Sequence, residues 1–101
     1  MRTGLTIAEL QRQVRQLNDA KGFEITLEQR LAYLMTEVGE VAREVLKLSR
    51  AEEADVEATV EALGMEIYDV VWNLLDLADM AGVDLEEAFG KKARLNESRE
   101  W

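Results

Sequence analysis

Apolar residues recur along this chain at helical intervals, in four runs separated by short polar or glycine-containing breaks. Leu10, Val14 and Leu17 share one face of the first run. Its start is marked by Thr6 with Glu9, a pairing in which a hydroxyl and a carboxylate satisfy free N–H groups of a first turn, and by Leu5 with Leu10 at the spacing of a hydrophobic staple. The helix should run to about Lys21, with Gly22 as its stop. Thr26 with Gln29 starts the second run, which carries Leu31, Leu34, Val38, Val41, Val45 and Leu48 on a helical period to about Ser49. Gly39 inside it costs about 1 kcal/mol against alanine and suggests the close approach of another helix or a ligand.

The third run should form a helix from near Asp55 to near Gly82, weakest at Gly64. Ile67, Val70, Val71, Leu74, Leu75, Leu77, Ala78 and Ala81 cover about half its circumference, wider than the ~100° stripe of a surface helix, so it needs more than one neighbour. Asp84 with Glu87 opens a fourth helix towards the end of the chain. The pattern predicts one all-α, four-helix bundle-like domain over residues 1–101, completed by a second copy as a homodimer or homotetramer. Phe23, Tyr33, Met65 and Met80 read as packing residues.

Composition narrows the chemistry. With no cysteine and no histidine, disulfides, thiolate zinc sites and histidine bases are excluded, and a metal must be held by oxygen, which suits magnesium or manganese first and calcium second. The helical Glu-x-x-His di-iron pattern is excluded on the same ground, and no segment supplies an EF-hand loop. Nothing resembles a signal peptide or a long uncharged apolar run, so the cytoplasm is expected and a membrane partner is not. The net charge is −9, and no lysine or arginine stands between Ala51 and Gly90, so nucleic-acid binding is not expected either. Lys91, Lys92, Arg94 and Arg99 form a basic cluster near the C-terminal end that can meet phosphate groups or simply complement a helix dipole.

Glu37 and Glu40 stand three residues apart on the second helix, and Glu66 and Asp69 repeat the interval on the third. Each pair therefore shares a helix face. If the two helices pack antiparallel, four carboxylates converge, repelling one another without a cation and balancing one or two magnesium ions with it. Glu37 lies beside Val41 and Leu48, at the margin of the apolar face, and should point into the seam. Glu66 and Asp69 share an arc with Asn73, Asp76 and Asp79, as residues on a solvated face would. A single such motif is more often an ordinary wet helix surface than a site, and only the two pairs on consecutive helices bring the readings level. Trp72 falls within the same polar arc, where it can stack on a base or fill a helix seam.

The string Glu37-Val-Gly-Glu40-Val-Ala, then Glu66-Ile-Tyr-Asp69-Val-Val-Trp-Asn, then Lys92 with Asn96, Arg99 and a closing Trp101 resembles the MazG-like all-α nucleoside-triphosphate pyrophosphohydrolases over residues 27–101. The resemblance implies Mg2+, with Mn2+ as a substitute, held by Glu37, Glu40, Glu66 and Asp69. It also implies hydrolysis of a (deoxy)nucleoside triphosphate to the monophosphate and pyrophosphate, in the manner of enzymes that clean the nucleotide pool. Lys92 and Arg99 would meet phosphates, and Asn96 and Asn73 would hydrogen-bond the substrate. Many relatives carry a further glutamate just before the first motif acid, where this chain has Thr36, so the base that activates water is left between Glu37 and Glu40. Two other readings remain: a phosphoribosyl-ATP pyrophosphohydrolase, and a non-catalytic acidic helical module that binds a partner.

Overall fold

The structure, a computed structural model, describes residues 5–22 and 24–99. Phe23 and Trp101 lie outside them. Four α-helices follow in order, α1 (Ile7–Lys21), α2 (Leu27–Ser49), α3 (Val56–Met80) and α4 (Leu85–Glu97), with one 3-10 turn, Glu53–Asp55, before α3. No strand occurs among the described residues, so the fold is all-α.

The punctuation expected from the sequence is in place. Thr6 and Thr26 each accept a hydrogen bond from the backbone three residues on, and Glu9 and Gln29 reach back to close the two capping boxes. Asp84 accepts from the Glu87 N–H at 3.0 Å. Gly22 and Gly82 adopt positive φ at the ends of α1 and α3, a conformation that costs glycine little. Behind Gly82, the Val83 N–H reaches the Ala78 carbonyl at 2.8 Å and the Gly82 N–H that of Asp79 at 3.1 Å, closing the helix as a Schellman motif. Gly64 does not interrupt α3. Among the described residues, no helix is long and apolar enough to cross a membrane.

The chain forms two compact units, one spanning Ile25–Leu74 and the other combining the residues up to Glu24 with those from Leu75 on, so that α3 contributes to both. In the second of these, α1 packs on α4. Val14, Leu75 and Ala78 are buried there, and polar side chains tie the pieces together. Gln11, itself buried, donates to the Val83 carbonyl at 2.7 Å and accepts from the Leu85 N–H, holding the turn between α3 and α4 from both sides. Arg15 donates through Nε to Asp79 at 2.7 Å, and Asn18 donates to Asp76.

In the unit spanning Ile25–Leu74, α2 and α3 meet through their polar arcs. Arg30, Leu34 and Asn73 are buried. Glu37, Glu40, Val41 and Glu44 on α2 are half-buried, as are Leu63, Glu66, Asp69 and Val70 on α3. Further apolar residues on the flank of these arcs, Leu31, Val38, Val45, Ile67, Val71 and Leu74, are exposed.

This arrangement corrects several expectations. The arc of Asn73 and Asp76 was to be solvated, yet these side chains are 7% and 2% exposed. Much of the apolar stripe of α2 and α3 was to be core, yet Leu31 is half exposed. Met65, Met80, Tyr33 and Leu17 are exposed rather than packed. A Cβ on Gly39 or Gly64 would meet nothing within 4 Å, so no close approach within the described chain explains either glycine. The reason is geometric. A helix has a limited inward arc, and on α2 and α3 acids, Arg30 and Asn73 share it with Leu34, Val41, Leu63 and Val70, leaving the flanking apolar positions outside.

Replacing Gln11 by alanine leaves the partly buried Val83 carbonyl and Leu85 N–H without this partner and should cost about 0.5–1.5 kcal/mol. Urea unfolding should show a lower midpoint with an unchanged slope.

Candidate metal centre

The hydrogen bond from Arg30 to Asn73, near the start of α2 and late in α3, and the meeting of Glu37, further along α2, with Glu66 and Asp69, earlier in α3, set the pair running antiparallel. Each capped helix presents acids at three-residue intervals, so side chains from successive turns project into the same seam. One carboxylate oxygen from each of Glu37, Glu66 and Asp69 lies within 4.8 Å of the other two, and all three residues are half-buried.

Glu40 stands apart from this trio. Its carboxylate is held by Arg43 through bonds of 3.1 and 3.2 Å. Its charge still reaches Glu66, whose carboxyl is pushed above the usual glutamate range, first by burial and then by Asp69, Glu40, Glu37 and Glu44. Glu44, which the motif spacing did not single out, lies one turn beyond Glu40 with its side chain 13% exposed and Lys47 at 3.4 Å. Its signal in the sequence was the four-residue step from Glu40, which keeps it on the same face.

An all-oxygen donor set of this kind fits a hard divalent cation. The fit is electrostatic as well as geometric, because burial first and the neighbouring acids second hold the Glu66 carboxyl above its usual range, and a cation would oppose the second. Thr36, just before Glu37, is exposed and donates to the Ala32 carbonyl of its own helix at 3.1 Å. It is no proton acceptor.

Two further groups flank the acids. On one side Asn73 accepts from Arg30 at 2.8 Å and donates to the Asp69 carbonyl at 2.7 Å, so both ends of its amide are engaged within the chain. The Arg30 guanidinium lies 5.0 Å from the Trp72 ring and 5.9 Å from that of Tyr33. Arg30 also escaped the sequence reading, although it stands seven residues before Glu37 on the same helix face. On the other side α2 and α3 border a cleft of about 710 Å³ lined by Arg43, Glu44, Lys47, Arg50, Thr59 and Ala62 among others.

The C-terminal residues belong to the other compact unit. Lys92 and Asn96 line a smaller apolar hollow of about 400 Å³ with Phe89 on α4. Arg99 follows the helix end, its N–H bonded to the Asn96 carbonyl at 3.2 Å.

A carboxyl with a raised pKa binds its proton more tightly in the folded chain, so its contribution to stability is present at low pH and is lost as pH rises through the raised value. In metal-free buffer at neutral pH, Glu66→Gln should therefore melt at a higher temperature than the wild type. The gap should close as pH falls below the usual glutamate range, and equal melting temperatures throughout would contradict this account.

Comparison with known proteins agrees with the geometry. The MazG nucleotide pyrophosphohydrolase domain matches residues 25–100, a span containing all four motif acids and the tail. No curated protein and no solved structure gives a match. Members of the matched family generally use a divalent metal ion, and the Glu37, Glu66 and Asp69 trio offers one a place. With three quarters of its length covered by that match, the chain belongs to the MazG nucleotide pyrophosphohydrolase family.

Proposed function

We propose that this chain hydrolyses (deoxy)nucleoside triphosphates to the monophosphate and pyrophosphate in the presence of Mg2+, within one domain over residues 1–101, as an enzyme that clears unwanted nucleotides. The observation that carries the reading is the convergence of Glu37, Glu66 and Asp69 in the seam between α2 and α3. These three would hold the cation. Bound there, Mg2+ or Mn2+ supplies charge neutralisation at the phosphate oxygens and a water of lowered pKa.

The remaining steps fall to the protein. Glu40 is half-buried next to the trio but outside it, which leaves its carboxylate to orient the attacking water and accept its proton. Arg43, which pairs with Glu40, and Lys47 and Arg50 beyond it give the neighbouring cleft cations that suit a phosphate chain. Lys92, Asn96 and Arg99 add the phosphate and sugar contacts that the family tail implies. The exposed apolar arcs of α2 and α3 support a homodimer or homotetramer, since a second copy would remove Leu31, Val38, Ile67 and Val71 from water.

A panel of canonical and modified (deoxy)nucleoside triphosphates with phosphoribosyl-ATP, incubated with Mg2+, should yield pyrophosphate and the matching monophosphate from at least one triphosphate. Glu40→Gln should lower kcat by about 10²–10⁴-fold. Turnover of phosphoribosyl-ATP alone would reassign the substrate, and no Mg2+-dependent turnover of any compound would leave a non-catalytic acidic module.

A further inference from the structure

We infer that Arg30 is a positioning residue for the metal centre, acting through Asn73 on the turn of α3 that carries Asp69. The inference rests on the metal-centre reading above and assigns Arg30 no contact with substrate.

Arg30 occupies an uncomfortable place by the rules of its own helix. Its N–H makes the first bond of α2, to the Thr26 carbonyl at 3.0 Å, so its side chain leaves the N-terminal turn, where the helix dipole disfavours a cation. The residue is also 7% exposed. Groups across the seam meet it there. Asn73 on α3 accepts its Nη1 at 2.8 Å, and the Trp72 ring lies 5.0 Å from the guanidinium carbon. Facing aromatic rings and an amide oxygen are the kind of surroundings that offset the burial of a guanidinium.

The hydrogen bonds have one sense. A guanidinium donates and never accepts, so the Asn73 oxygen must face Arg30, and the amide nitrogen is thereby turned to the Asp69 carbonyl, which it reaches at 2.7 Å. Asp69 thus has its backbone pinned by an amide whose orientation Arg30 dictates. The two anchor points also sit at matching places. Asn73 lies one turn beyond Asp69 on α3, and Arg30 lies about 10 Å before Glu37 along α2. The Arg30–Asn73 link therefore joins the two helices beside acids whose mutual repulsion pushes them apart.

Simple electrostatics and this brace give opposite signs. Arg30 is a cation near a cation site, so its removal by Coulomb forces alone would tighten metal binding. If Arg30 instead holds Asp69 in place, its removal loosens binding, since residues that orient metal ligands typically govern about 10–100-fold in affinity.

The experiment is calorimetric titration of the full chain with Mn2+, for wild type, Arg30→Met, Asn73→Ala and the double variant, with melting temperatures recorded in chelator. Each single variant should bind Mn2+ at least about tenfold more weakly than wild type, and the double variant no more weakly than the weaker single, because both changes break one chain of contacts. Asn73→Ala carries the test should Arg30→Met not fold. Unchanged or tighter Mn2+ binding in Arg30→Met, or losses that multiply in the double variant, would overturn the inference. A lowered melting temperature with unchanged Mn2+ affinity would overturn it too, in favour of a purely structural arginine. Failure of the wild type to bind Mn2+ would instead remove the metal-centre reading itself.

Discussion

Carboxylates gathered between two helices repel one another, and the unit formed by α2 and α3 is organised around that repulsion. Glu37, Glu66 and Asp69 bring oxygens within 4.8 Å, and Glu40 and Glu44 add charge from neighbouring turns. In water such charges would be screened over about a Debye length. Partly buried between helices they are screened less, and burial and neighbouring acids together raise Glu66 above the usual range. The chain answers locally with Arg43 on Glu40 and Lys47 on Glu44, pairs within one helix whose cations are exposed to solvent and which are each worth little in stability. They leave the central trio without a cation of its own among the ion pairs of the described residues. A divalent ion is the counter-charge that this geometry suits.

The same constraint explains where the apolar residues went. Each helix has a limited arc facing its partner, and α2 and α3 divide theirs between acids, Arg30 and Asn73 and a few apolar residues such as Leu34, Val41 and Val70. Leu31, Val38, Val45, Ile67, Val71 and Leu74, on the flank of that arc, are then left exposed. Polar burial at Arg30 and Asn73 is tolerable because their bonds are made in a consistent sense, donor to acceptor from guanidinium through amide to backbone carbonyl.

The unit built on α1, α4 and the end of α3 solves a different problem. Its helices are joined by a short turn, and Gln11 satisfies both a carbonyl and an N–H of that turn from a buried position. Asp76 and Asp79, which sequence patterning placed on a wet surface, instead receive Asn18 and Arg15 from α1. Polar residues here specify how α1 sits on its neighbours, a directional task that apolar contacts, being non-directional, do poorly.

By itself the sequence determined the helices, their starts and stops, and the pairing of acids on two of them. Capping boxes at Thr6 and Thr26, the glycines at 22 and 82 and the three-residue steps from Glu37 to Glu40 and Glu66 to Asp69 act within one or two turns, so they are legible without a fold. The ordered motifs also carried the family. Tertiary structure alone decided which arc of each helix faces inward. Periodicity shows that α3 has an apolar and a polar side but not which one its neighbour will cover, because that depends on the partner helix and on any further copy. For that reason Asn73, Asp76 and Arg30 were misplaced or overlooked, and Glu40, equal to Glu37 in the motif, turned out to be tied to Arg43 at the margin of the trio.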